Sequence, residues 1–395
     1  MHIPITKPVF GDEERAAVQR PLECGWVAQG PFVTQFEDRF AAFVGSPHGV
    51  ATTSCTTALH VALVALGVKP GDEVIVPAFT WVSTANVVEY LSATPVFCDI
   101  DLATFNIDPA RVEALVTPRT VGLIPVHLFG LSADMEPMLA LAAERGLWVV
   151  EDAACGFGAR YRGRHVGTLG DIGCFSFHPR KSITTGEGGM ITTARADVAE
   201  LSRSLRDHGA TRSDLARHEA PAAFLLAEYP HLGFNYRMTD IQGALGCAQM
   251  SRAAEILTAR ARVARGYDDA LRELSWLRLP VTPTGYVHGY QAYVCLFAPD
   301  DPTPANVDRL SRLRNEVMAR LEHVGIATRQ GTHAPVLADY YARKYAIRPE
   351  QYPNAWLSDR LSLTLPLYPQ MRADEQTFVC RMLAEVGADV IRSQV

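Results

Sequence analysis

Between residues 45 and 195 the chain alternates short runs that are apolar throughout with stretches of helical periodicity, and this pattern restricts the fold more than any other feature. The apolar runs are EVIVP (73–77), TPVFCDI (94–100), VGLIPVH (121–127), LWVVED (147–152), IGCFSF (172–177) and GMITT (189–193). Between them lie the amphipathic stretches TTALHVALVAL (56–66), VSTANVVEYL (82–91) and MEPMLALAAERG (135–146). A strand that faces solvent on one side alternates polar with apolar residues, whereas one covered on both faces does not. The chain therefore predicts an α/β domain whose largely parallel sheet is covered on both sides by helices. Such sheets bind ligands beyond the carboxyl ends of their strands.

The second part of the chain reads differently. Residues 239–275 form one long helical stretch without proline, followed by the strand-like ELSWLRLP and QAYVCLF. Segments 305–324 and 373–386 read as helices. A smaller second domain is expected at 255–395, after a larger one at 1–254. Segment 211–232 is polar at first and then AAFLLAEY, and its state stays open at this stage.

Composition narrows the functional class. A chain of 395 residues with 48% hydrophobic and 20% charged residues can bury a sizeable core. A formal net charge of -6 gives no general attraction to nucleic acid or an acidic membrane. The start, MHIPITKPVFGDEE, has no basic region followed by an apolar run, and no stretch approaches a membrane span. None of the eight cysteines lies within four residues of another, so no local metal or redox pair is expected and they read as reduced thiols of a cytoplasmic protein.

Four segments at strand ends carry the candidate chemistry. In FSFHPRKSITTGEGGM (175–190) an apolar run stops at His178, Pro179, Arg180 and Lys181. That is either a solvated basic turn or a lysine presented as an amine nucleophile. In VVEDAACGFGA, Glu151 and Asp152 place at least one carboxylate at a strand end. It either caps the next turn or stays ionised beside a buried cation such as a pyridinium. In TTSCTTALHVAL, Ser54, Thr56 and Thr57 precede an apolar helix, where hydroxyls serve as caps or, with the free N–H groups, hold a phosphate. Trp81, just past EVIVP, belongs to a core or interface or lies flat on an aromatic ligand. Each fragment alone is ambiguous. Together, an amine, an acid, a phosphate-ready helix start and an aromatic plate match the needs of pyridoxal 5'-phosphate.

With these residues in view, the sequence resembles the DegT/StrS aminotransferases, fold type I pyridoxal-phosphate enzymes that mostly aminate keto-sugars attached to nucleotides. The resemblance runs from GWVAQGPFVTQFEDRFAAFVG (25–45) through SCTTALHVAL, VIVPAFTWVSTAN, FCDIDLATFNIDP, IPVHLFGLSADM, VVEDAACGFGA, HPRKSITTGEGG and NYRMTDIQ to SLTLPLYPQM (362–371). It implies a large domain with a mostly parallel seven-stranded sheet and a smaller C-terminal α+β domain. It implies that Lys181 is the Schiff-base lysine, that Asp152 pairs with the pyridine nitrogen and that Trp81 stacks on the ring. Cys55 and Thr56 occupy the phosphate-binding turn, and Ser176 is a further phosphate ligand. Asn235 matches an asparagine that reaches the cofactor of the neighbouring subunit, which implies a homodimer with shared sites. His178 fits the motif without a defined role.

Three features depart from the family pattern, at four positions. Cys55 stands where glycine is frequent. Cys155 stands where Gln or His is common, and a ring contact is carried over to it. Gly331 and Thr332, in GIATRQGTHAPV (325–336), stand where bulkier residues are frequent at the substrate end. The resemblance implies an amino donor, glutamate, and a keto acceptor. A nucleotide-linked keto-sugar comes first and a keto-cyclitol or other natural-product ketone second. Dehydratases of the family carry His in place of the lysine, so Lys181 argues against that activity. The retained lysine and acid argue against a non-catalytic regulator. A lysine acting as acid and base is expected to have its pKa brought down by the site.

Overall fold

Residues 2–213, 215, 218 and 227–393 are described here from a computed structural model of the chain. The strands in chain order are β1 (His48–Thr52), β2 (Glu73–Pro77), β3 (Thr94–Cys98), β4 (Thr120–Leu123), β5 (Trp148–Asp152), β6 (Arg160–Tyr161), β7 (Arg164–His165), β8 (Ile172–Ser176), β9 (Gly189–Thr193), β10 (Leu277–Arg278), β11 (Tyr286–Val287), β12 (Tyr293–Phe297) and β13 (Ser362–Leu365). Seven of them form one sheet in the order β1-β9-β8-β5-β4-β2-β3. The pairs from β8 across to β3 are parallel, and β9 runs antiparallel to both β1 and β8. Every residue of β2 and β9 is buried, as expected of strands covered on both faces.

Helix α3 (Cys55–Ala65) is apolar around most of its circumference, and seven of its eleven residues are buried. It packs on the sheet against β8 and β9. Ser54 caps it by accepting from the Thr57 N–H, while Thr57 Oγ1 accepts from the Ser54 N–H, a reciprocal capping box. Helix α2 (Pro31–Val44) starts with proline at its first position and ends at Gly45 in the left-handed region, φ 82°.

The helix expected over 239–275 is two helices, Asp240–Ser251 and Ala253–Leu271, which meet at Arg252 (φ -104°, ψ 3°). The break has no glycine or proline to announce it. It is held by tertiary contacts: Gln249 Nε2 and Arg252 Nη1 both reach Glu14 on helix α1 (Asp12–Cys24). ELSWLRLP contributes only the two-residue strand β10, and the C-terminal helix runs six residues past its expected end, Ala373–Arg392. Most of AAFLLAEY lies outside the described residues.

A second sheet, β10-β12-β13, is antiparallel. Its core includes Val263, Tyr267, Leu271, Tyr293, Phe297, Leu321, Leu363 and Val379. Ile3, from the other end of the sequence, is fully buried in this cluster, and its backbone pairs with Gly325 and Ala327. The main core likewise takes in Val294, Leu310, Val336 and Tyr341 beside Val74, Leu59 and Val150. Among the described residues no helix is long and apolar enough to cross a membrane.

Candidate active site

One edge of the main sheet gathers the candidate residues. Asp152, the last residue of β5, is in register with Cys174 of β8. Ser176, the last of β8, is in register with Gly189, the first of β9, and Gly189 is in register with Thr52, the last of β1. A Cβ on Gly189 would lie 2.3 Å from the Ser54 carbonyl oxygen, so this glycine allows the start of α3 to come down onto the sheet edge. There the N–H groups of Cys55 and Thr56 have no partner within their own helix, the normal state of a first turn.

Lys181 follows β8 in a turn closed by its own N–H to the His178 carbonyl, 2.8 Å. The hydroxyls of the loop are mostly engaged internally. Thr184 Oγ1 donates to the Phe177 carbonyl and Thr185 Oγ1 to the Glu187 carbonyl, both at 2.7 Å. Ser182 Oγ is buried without a partner among the described residues. The loop is thus fixed to the strand that carries it. Lys181 is part-buried and its Nζ donates to Cys155 Sγ at 3.1 Å. Burial alone would pull this amine down, but Cys155, Cys55 and Asp152 outweigh it and hold Lys181 above the usual lysine range. The lowering expected from the sequence is therefore not supplied by the chain's own side chains.

The two adjacent carboxylates have separate tasks, because consecutive residues of a strand face opposite sides of the sheet. Glu151 is fully buried and accepts from the N–H groups of Gly167, Leu169 and Gly170 and shares a 2.8 Å hydrogen bond with His127 Nε2. Burial raises its pKa, but His127 and these N–H groups more than offset it, and the net shift is downward. Glu151 ties the strand to the 167–170 turn and has no part in the site. Asp152 faces the other way. Its Oδ2 accepts from Thr84 Oγ1 at 2.8 Å and its Oδ1 from the Ala154 N–H at 3.1 Å. Burial pushes its pKa up, Thr84, Ala154, Lys181 and His127 offset only part of that, and the net shift is upward.

Trp81 is 57% exposed and its ring centroid lies 5.8 Å from that of His333. It stands one turn before Thr84 on helix α4 (Ser83–Glu89). Cys55 is buried, its Sγ donates to the Cys174 carbonyl at 3.5 Å, and burial pushes its thiol pKa well up. Ser176 is half-buried at the mouth, its Oγ accepting weakly from the His178 N–H at 3.4 Å. Asn235 is exposed, in a segment whose backbone bridges to Asp207 and whose next residue, Tyr236, accepts from the Thr53 N–H. The structure thus brings Cys55, Asp152, Cys155, Ser176 and Lys181 to one sheet edge and puts Asn235 on the surface near the start of α3. Thr84 and His127 were not singled out from the sequence. Strand period two would have separated Glu151 from Asp152, but the partners of each come from distant segments.

The residues at this edge fit pyridoxal phosphate. An amine and an oriented, buried carboxylate share the edge, with an open helix start and a hydroxyl beside them.

Sheet, lysine and acid together define the class of pyridoxal-phosphate-dependent aminotransferases of fold type I. The chain belongs to the DegT/DnrJ/EryC1/StrS aminotransferase family, whose sequence profile matches residues 8–384. It is 42% identical over 343 residues to GDP-perosamine synthase of Caulobacter vibrioides, covering 86% of this chain and 87% of that protein. It is 38% identical over 389 residues to the spore coat polysaccharide biosynthesis protein SpsC of Bacillus subtilis, covering 98% of each. Its fold matches that of Spr1654 of Streptococcus pneumoniae, assigned as a sugar aminotransferase and solved in its PMP form, with a TM-score of 0.91, 26% identity and coverage of 98% and 100%. The protein is a pyridoxal-phosphate-dependent sugar aminotransferase.

Proposed function

We propose that this enzyme moves an amino group from glutamate to a nucleotide-linked keto-sugar, with Lys181 as the residue that carries the cofactor and handles the proton. The observation that carries this reading is the placement of Lys181 and Asp152 on one sheet edge, each held by a side-chain partner. Bound pyridoxal phosphate supplies an electron sink for the electrons left when a proton is removed from the carbon bearing the amino group. Lys181 Nζ takes that proton and returns one on the other side of the transfer, acting as general base and then general acid. Asp152, ionised, keeps a proton on the ring nitrogen. The N–H groups of Cys55 and Thr56 and the Ser176 hydroxyl would hold the phosphate, Trp81 would cover the ring, and Cys155, which accepts from Lys181, would contact the ring.

Glutamate as donor rests on the family resemblance. The nucleotide-linked acceptor has the added support of the similarity to an enzyme named for a GDP-linked amino sugar. Gly331 is the observation behind a second reading. A Cβ there would lie 2.8 Å from Phe129 Cζ and 3.0 Å from Val294 Cγ1, so this position has no room for the bulkier residues frequent there, and with that departure a keto-cyclitol is the second acceptor class. By the family resemblance Asn235 serves the cofactor of a second copy, so the working unit is a homodimer, and the enzyme works in the cytoplasm.

Two measurements test the proposal. Borohydride reduction of the holoenzyme followed by peptide mapping places the label on Lys181, and Lys181→Ala abolishes turnover with the fold retained. A label on another lysine refutes the assignment. A panel of keto-sugar nucleotides and keto-cyclitols with glutamate as donor separates the two acceptor classes.

A further inference from the structure

Asp152 is 3% exposed, and its outer oxygen has one side-chain donor, the Thr84 hydroxyl at 2.8 Å. Thr84 Oγ1 lies 3.2 Å from Thr80 Oγ1, and both threonines are buried. A hydroxyl has a single proton to give. An ionised carboxylate only accepts, so Thr84 spends its proton on Asp152 and Thr80 must donate to Thr84. The direction of the relay is therefore Thr80 to Thr84 to Asp152. Its far end is anchored too: the Thr80 N–H donates to the His333 carbonyl at 3.0 Å, which ties the relay to the 325–336 segment of the C-terminal part. At the near end the Thr84 N–H bonds the Trp81 carbonyl at 3.2 Å, so the exposed aromatic and the buried hydroxyl share one turn.

We propose that Thr84 is a positioning residue for the transamination, its hydroxyl, held by that of Thr80, fixing the Asp152 carboxylate at the carboxyl end of β5. This rests on the reading of Asp152 as the acid that faces the ring nitrogen. A carboxylate this deeply buried is expensive to keep charged. The ionisable groups that act on it are Lys181 from the loop after β8, His127 from the segment after β4, Cys55 at the start of α3 and Cys174 on β8. Burial pushes both thiols well above their usual range, so neither adds charge near neutral pH. Thr84 is the side-chain hydrogen bond that favours the ionised form, and Ala154 adds a backbone one. It also restrains which way the carboxylate turns.

The test uses the holoenzyme and the variants Thr84→Val, Thr84→Ser and Thr80→Val, with Asp152→Asn as reference. Turnover with the amino donor and the visible absorption of the bound cofactor are each followed against pH, alongside thermal unfolding. Removing a donor to a carboxylate favours its protonated form. Thr84→Val therefore moves the acid limb of the rate profile and of the absorption titration to higher pH, and lowers kcat about tenfold with little change in KM. Thr84→Ser restores both, and Thr80→Val moves them the same way by less. A Thr84→Val enzyme that titrates and turns over like wild type, losing only thermal stability, overturns the proposal, as does failure of Ser to rescue. Should Thr84→Val not fold, an unaltered titration in Thr80→Val overturns it. An active Asp152→Asn overturns the reading of Asp152 and this proposal with it. An inactive Asp152→Asn beside an unaltered Thr84→Val overturns this proposal alone.

Discussion

Lys181 and Cys155 meet across the sheet edge, with Nζ donating to Sγ at 3.1 Å although 26 residues separate them in sequence. Cys155 is the first of the groups that hold the Lys181 amine above the usual lysine range against the pull of burial. Replacing it with alanine removes that support, so the amine titrates at lower pH in Cys155→Ala. The pH dependence of Lys181 modification by an amine reagent in the cofactor-free protein reads this directly. A profile unmoved or moved upward contradicts the assigned role of the thiol.

Asp152→Asn keeps the fold and retains the cofactor, since its one amide oxygen still accepts from the Ala154 N–H and the Thr84 hydroxyl can turn to accept from its NH2. It loses about 10²–10⁴ in turnover because a neutral amide does not hold a proton on the ring nitrogen. Steady-state kinetics beside a cofactor absorption spectrum checks both halves. Near wild-type turnover moves the role elsewhere. It would not pass to Glu151, whose carboxylate is committed to His127 and the 167–170 turn.

Glu151→Gln behaves in the opposite way. The amide group of Gln donates where Glu151 only accepts, so buried N–H groups lose their acceptor at a cost of about 3 kcal/mol. Urea unfolding measures the loss. The pH dependence has a definite sign. The pKa of Glu151 is lower in the folded state, so its contribution is present above the unfolded carboxylate range and is lost as pH falls through the folded value. The acid side of the stability curve is therefore flatter in Glu151→Gln than in wild type. Equal slopes would show that Glu151 is not part of the acid transition.

Shared sites are testable with mixed dimers of Lys181→Ala and Asn235→Ala subunits, each nearly inactive alone. If Asn235 serves the partner's cofactor, one site of each heterodimer carries both lesions and the other carries neither, and activity partly returns. If both residues serve one chain's site, every site keeps a lesion and nothing returns. Tagged subunits confirm the exchange. The capping of the helix at 240–251 does not call on Asn235, because Thr239 and Gln242 form that capping box.

The order of apolar runs determined the parallel sheet by itself, because a strand buried on both faces has no polar alternation to show and each such run stands out from the helices around it. The placement of Lys181 and Asp152 was legible for the same reason: Asp152 closes an apolar run, and Lys181 closely follows another, at the end where this kind of sheet binds ligands. Other features depended on residues far apart in the chain. The break at Arg252 is held by Glu14, 238 residues away, and leaves no local mark. How Glu151 and Asp152 are each engaged was decided by their partners, three N–H groups and His127 for one, Thr84 and Ala154 for the other. The pKa direction of Lys181 was decided in the same way, by thiols and a carboxylate from two other segments. Propensity and periodicity act over a few residues, so they shape single elements. Hydrogen bonds and charges act through space, so the assignments that rest on them exist only once the chain is folded.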